Sequence, residues 1–162
     1  MNIGSYKLAK EIFKKTIKMD PSNISVMNNL ANAEKSLFNF TDAEILYKKI
    51  IEKAPKYLNA YVNYGNLKRD LNKFNDSTEL YKKALEIDKK HLIALYSLAM
   101  NLQSLGDFKL STEYAYKVLD IDPNFTKADL LISLSQKYKD NDPHHIKMEA
   151  KFSDKTRFDF LI

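Results

Sequence analysis

PSNISVMNNLANAEKSLFNFTDAEILYKKIIEKA, residues 21–54, runs directly into PKYLNAYVNYGNLKRDLNKFNDSTELYKKALEID, residues 55–88, and the two align without an insertion. Pro21, Pro55, Lys89 and Pro123 stand 34 residues apart, each opening a segment of the same design. A period of that length marks stacked helical hairpins, none of which buries its apolar face without a neighbour. Such an object points to a binding scaffold before any chemistry is considered.

The columns of the alignment carry the packing. Ala31, Gly65, Ala99 and Ser133 share one column, all small, where two helices must approach closely. Tyr6, Phe40, Phe74 and Phe108 form an aromatic column, followed three residues on by Ala9, Ala43, Ser77 and Ser111. Four further on stand Phe13, Tyr47 and Tyr81, with Ala115 as the exception. Small beside large lets facing helices interdigitate without voids.

Over residues 4–139 these columns resemble the tetratricopeptide repeat family, whose unit is a pair of antiparallel helices. The resemblance implies an all-α, right-handed superhelical array of helix hairpins. Lys89 departs from the usual turn proline, and Ile50 and Val118 replace a commoner alanine, which changes packing angles and not architecture. Asp20-Pro21 and Asp122-Pro123 end helices, because proline pushes the residue before it out of the helical region. Gly4 and Gly106 are expected in left-handed turns within hairpins, with Phe38-Asn39 and Asn72-Lys73 doing that job elsewhere. Helices are expected near 5–18, 24–37, 41–53, 58–71, 75–87, 92–105, 109–120 and 125–138.

The register divides the chain into the second half of a repeat (1–20), full repeats at 21–54, 55–88 and 89–122, and the first helix of a degenerate repeat (123–140). Residues 141–162 form a helical junction outside the register. Both ends read as cut: 4–20 match half a unit, and the chain closes on the apolar run from Phe158 to Ile162. Solenoids carry polar terminal caps, so a fragment of a longer protein is the expectation.

Composition excludes several classes. Zero Cys rules out disulfides and thiolate metal sites. No apolar run approaches the ~20 residues that span a bilayer, and no signal segment precedes the repeat. The cytoplasm is the default compartment, with no membrane partner. Lys14-Lys15, Lys48-Lys49, Lys82-Lys83 and Lys117 line the second helices, but Glu11, Glu44, Glu52, Glu79 and Glu86 interleave with them and the net charge is only +5. A solvated face is the expectation, not a nucleic-acid surface.

In tetratricopeptide arrays the first helix of each hairpin lines a concave groove. Here those helices present Asn29, Asn32 and Lys35, then Asn63, Asn66 and Arg69, in register. A carboxamide matches the donor and acceptor of a peptide unit, so this set reads as a clamp for extended backbone. Asn29 and Asn63 look like the asparagine ladder of the repeat superhelix in O-GlcNAc transferases, stopping at Ser97. Solvated polar positions are the plainer reading of the same residues. Lys35 and Arg69 could meet an acidic side chain or a chain terminus. The groove then turns apolar through Ile93, Tyr96 and Met100 and the stripe Leu130, Leu134 and Tyr138. Residues 143–162, or a domain beyond Ile162, are expected to cover that stripe.

No catalytic residue, metal ligand or cofactor site is legible: three histidines, two of them adjacent at 144 and 145, and no glycine-rich phosphate loop. The chain reads as no enzyme in itself. After Asp140 the register fails, and Asp142-Pro143 reads as an N-cap with proline at the first helical position. The stretch from Gln136 to Glu149 is similar to the junction of bacterial tetratricopeptide-sulfotransferase fusions. That resemblance implies a recognition arm whose catalytic domain lies beyond Ile162. A stand-alone adaptor, or the arm of a glycosyltransferase, are the alternatives. The partner is expected to be a protein or extended peptide.

Overall fold

The computed structural model describes residues 3–135 and 142–153; among them are nine helices and no strand. They are α1 (Ile3–Met19), α2 (Ile24–Ser36), α3 (Phe40–Lys53), α4 (Leu58–Asp70), α5 (Phe74–Ile87), α6 (Leu92–Ser104), α7 (Phe108–Ile121), α8 (Thr126–Ser135) and α9 (Pro143–Ser153). Seven of the eight expected helices appear with ends within two residues; the expected end of the eighth, at 138, lies outside the described residues, as does the break after Asp140.

From α1 to α8 each helix packs on the next, and α2, α4, α6 and α8 also touch one another in turn. The outer row, α3, α5 and α7, fans apart. A stack tighter on one side must curve, so the even-numbered helices form its concave face. Turns and caps obey the same period. Asn23 and Asp107 side chains accept from the amides of Val26 and Leu110, and His91 Nδ1 accepts from Ala94. His91 is therefore spent on a helix start.

Within each hairpin the first helix closes in a six-to-one, five-to-two hydrogen-bond pair. Asn39 N donates to Glu34 O at 2.9 Å, with Phe38 N to Lys35 O at 3.0 Å; the pair recurs at Lys73/Asn72 and at Asp107/Gly106. The motif requires a left-handed residue, and Phe38 (φ 62°), Asn72 (φ 58°) and Gly106 (φ 81°) supply it. Gly4 does not; it lies inside α1 and is not in the left-handed region.

The small column sets the spacing of the layers. A Cβ on Gly65 would sit 2.6 Å from Tyr81 Cε1. Tyr47 and Tyr81 are wholly buried beneath Ala31 and Gly65, as are Ile50, Ala84 and Val118, so the larger residues in that last column are accommodated. Ser77 Oγ donates to Gly65 O at 2.9 Å, whereas Ser111 Oγ, one repeat on, is buried with no hydrogen-bond partner among the described residues.

Between hairpins a charged contact changes sign along the stack. Lys10 Nζ lies 2.8 Å from Glu34 Oε2, joining α1 to α2. The same two positions one repeat on hold Glu44 and Lys68, 3.0 Å apart, with the charges exchanged. One repeat further they are Thr78 and Leu102, where Thr78 Oγ1 accepts from the buried Asn101. Glu44 also accepts from Tyr64 at 2.7 Å and pairs with Lys48 at 2.9 Å. Burial pushes the Glu44 carboxyl up, but hydrogen bonds from Lys48, Tyr64 and Lys68 outweigh it and hold the pKa at about 2.

Two predictions follow from these contacts. Gly65→Ala should cost about 1–3 kcal/mol by overpacking against Tyr81, and Gly106→Ala about 1 kcal/mol from backbone geometry alone. Urea denaturation distinguishes the two, because Gly106→Asn should recover most of the loss and Gly65→Asn none. For Glu44 the folded pKa lies below the ordinary one, so its contribution is complete above about pH 4.5 and is lost as the pH falls towards 2. Wild type should therefore lose more stability between those pH values than Glu44→Gln, measured in the same urea series.

Candidate binding groove

Four columns of the even-numbered helices face inward. Ser25, Asn59, Ile93 and Lys127 form one; Asn28, Val62, Tyr96 and Leu130 another. Asn32, Asn66, Met100 and Leu134 form the third, and Lys35, Arg69 and Gln103 the fourth. The face thus runs from polar at α2 to apolar at α8.

The asparagines are not equivalent. Asn29 is exposed on α2. Asn63 Nδ2 donates to Oδ1 of the buried Asn28 at 3.1 Å, tying α4 to α2. Asn32 Oδ1 accepts from the Tyr47 hydroxyl at 2.6 Å, and Asn66 Oδ1 from Tyr81 at 2.7 Å. Burial holds both phenols above their ordinary pKa, so each remains a donor. In the next repeat both partners change together, to Met100 and Ala115. The longer thioether on the inner helix stands where the tyrosine is missing beneath it.

The cations also differ. Lys35 Nζ is 2.9 Å from Asp70 Oδ2 on the neighbouring inner helix. Arg69 is half-buried, its Nη1 reaching only Met100 Sδ at 3.9 Å, and no carboxylate of the described residues pairs with it. Beside it opens a recess of about 450 Å³ lined by Asn66, Arg69, Ile93, Tyr96, Met100 and Phe125, among others. Tyr96 packs edge-on against Phe125, ring centroids 5.0 Å apart, which fixes one wall.

Leu130 and Leu134 are 59% and 67% exposed. The expectation that residues 143–162 cover them is not met by the described part of that segment, α9. Tyr138 and residues 154–162 lie outside the described residues. Helix α9 instead docks on the other side of α8, because its polar groups find a buried carboxylate there. His144 Nε2 is 3.1 Å from Asp129 Oδ1, and Lys151 Nζ 2.7 Å from Asp129 Oδ2. Tyr116 meets the His144 ring edge-on at 5.6 Å. Asp142 caps the helix as expected, accepting from His144 N at 2.9 Å. No spacing in the sequence marks this triad, since α9 is out of register.

On the convex side Lys48 pairs with Glu44, Lys82 with Glu79 and Lys83 with Glu86, all within single helices. Among the described residues no group of three or more His, Asp or Glu could hold a metal ion, and no helix is long and apolar enough to cross a membrane.

Tetratricopeptide repeat models match residues 24–54, 58–91 and 92–125, more than half of the chain. The chain belongs to the tetratricopeptide repeat family. A sequence comparison with characterised proteins gave no match. Among solved structures, a crystal structure of MamA is similar over 96% of this chain and 93% of that one, with TM-score 0.80 and 21% identity. MamA from Desulfovibrio magneticus RS-1 is similar over 94% and 89%, with TM-score 0.77 and 16% identity. The first tetratricopeptide domain of Spaghetti (RPAP3), bound to the HSP90 peptide SRMEEVD, is similar over 72% and 92%, with TM-score 0.68 and 16% identity. These likenesses concern the fold.

The docking of α9 gives a prediction of its own. Asp129→Ala leaves His144 and Lys151 without their shared carboxylate and should release α9 from this tetratricopeptide array. Trypsin should then cut after Lys147 and Lys151 at least tenfold faster than in wild type, while cleavage within α2–α7 stays unchanged.

Proposed function

We propose that the concave face binds an extended segment of another protein, the chain acting as a scaffold without chemistry of its own. The observation that carries this is the trough itself. Ile93, Leu130 and Leu134 are exposed in successive inner helices, beside the half-buried Tyr96 and Met100 and the amides of Asn32 and Asn66. Apolar side chains on a concave face, bordered by hydrogen-bonding groups, offer an extended chain both burial and backbone partners. Asn29, Asn63 and Lys35 border the same face, with Asn63 and Lys35 partly engaged in holding the inner helices together. A related fold solved with a bound peptide makes a peptide ligand of fitting kind.

A recognition arm joined to a sulfotransferase or glycosyltransferase domain is compatible with this reading. It rests on the resemblances around Asp142 and along the asparagine column, and the groove proposal does not need it.

A phage-displayed library of random dodecapeptides, selected on the wild-type chain, tests the proposal. Selected peptides should lose at least about tenfold in affinity towards Ile93→Glu combined with Leu130→Glu, both exposed positions whose replacement spares the core. They should bind a variant with Lys48, Lys49, Lys82 and Lys83 changed to Gln as tightly as wild type. Failure to select any peptide, or equal binding to the groove variant, overturns the proposal.

A further inference from the structure

We infer that Tyr47 and Tyr81 make the polar half of the groove a surface of donors, and that its partner is a peptide carrying an acidic side chain beside a bulky apolar one. The inference rests on the groove reading above and names the chemistry of its ligand. A carboxamide has one oxygen and one NH2 group, and the two ends recognise opposite partners. In Asn32 and Asn66 the oxygen accepts from a buried tyrosine hydroxyl at 2.6 and 2.7 Å. The NH2 group of each has no hydrogen bond among the described residues and is not buried. A neutral phenol in a wholly buried ring needs an acceptor, so flipping the amide would leave the hydroxyl facing a donor. The tyrosines therefore fix which end of each asparagine meets a ligand.

Arg69 extends the donor surface. It lies three residues after Asn66, on the same face of α4, and its guanidinium has no carboxylate partner among the described residues. Its neighbour Asp70 is held by Lys35. Asp122, which also lines the recess, accepts from the Asn124 amide of its own loop. A half-buried cation that pairs with no carboxylate among the described residues, next to an outward NH2 group, fits a carboxylate. Of the other residues lining the recess, which include Lys127 and Thr126, the apolar ones, Ile93, Tyr96, Met100 and Phe125, fit an apolar side chain of the next or preceding residue.

In this arrangement Asn66 and Arg69 touch the ligand, and Tyr81 is a positioning residue. The phage-displayed dodecapeptide library supplies the probe. Peptides selected on wild type should be enriched in Asp or Glu adjacent to Leu, Ile, Met or Phe relative to the unselected library. The best of them should bind about tenfold or more tightly than its version with Asp or Glu changed to Asn or Gln. Arg69→Gln should bring that ratio close to one. Tyr81→Phe should lower it severalfold by freeing the Asn66 amide; a merely structural role for the hydroxyl would weaken both peptides alike. Peptides selected without acidic enrichment, or a ratio unchanged in Arg69→Gln, would overturn the inference and leave the groove proposal standing. A library from which nothing is selected would overturn both.

Discussion

The structure depends on how closely the two helices of each hairpin approach. At Gly65 the approach leaves no room for a single added carbon, and the space is filled by the ring of Tyr81. That contact buries a large aromatic ring completely, and burying such a side chain contributes roughly 1.5–3 kcal/mol. It also dictates where the ring ends. Tyr47 and Tyr81 pass beneath the small column and deliver their hydroxyls to the inner face, at Asn32 and Asn66. Core packing and groove chemistry are therefore two ends of the same side chain.

This coupling accounts for the change of character along the groove. Where the outer helix carries tyrosine, the inner helix carries an asparagine whose oxygen satisfies it. Where the outer helix carries Ala115, no hydroxyl needs an acceptor, and Met100 replaces the amide. Leu134 continues the apolar trend on α8. The gradient from donor-bearing to apolar surface thus follows from which repeats can bury a phenol. The exposed Lys35–Asp70 pair on the same face adds little stability, since such pairs contribute at most about 1 kcal/mol, but it leaves Arg69 as the cation of that column without a carboxylate.

Much of this was legible in the chain itself. A register unbroken from Pro21 to Pro123 fixes helix positions because each turn must close at the same place, and Phe38, Asn72 and Gly106 do so. Gly4 shares the column of the turn residues but is helical, so a glycine in that column does not by itself mark a left-handed turn. The inward columns were legible as columns, but not their partners. Asn63 turned to Asn28, and Asn32 to Tyr47, because hydrogen bonds form across helices that the register does not order by distance. The joint replacement at Met100 and Ala115 was a usable signal of the tyrosine–asparagine pairing. Nothing comparable announced Asp129, His144 and Lys151, whose meeting depends on how an out-of-register helix lies. The same docking explains why Leu130 and Leu134 stay open to the groove.

The charged contact between hairpins has a consequence for how the stack is assembled. Repeats built alike can in principle be stacked in any order, and a hairpin that bypasses its neighbour finds much the same small, aromatic and aliphatic columns waiting for it. Here the junctions are distinct: Lys10 with Glu34, Glu44 with Lys68, Thr78 with Leu102. Were α1 to skip a hairpin and lie on α4, Lys10 would face the buried Lys68, two like charges removed from water. Were α3 to skip in the same way and lie on α6, Glu44 would face Leu102 and lose both Lys68 and the Tyr64 hydroxyl, keeping only Lys48 of its own helix. A fold that repeats its shape thereby avoids repeating its junctions, and the linear order of the gene becomes the spatial order of the solenoid.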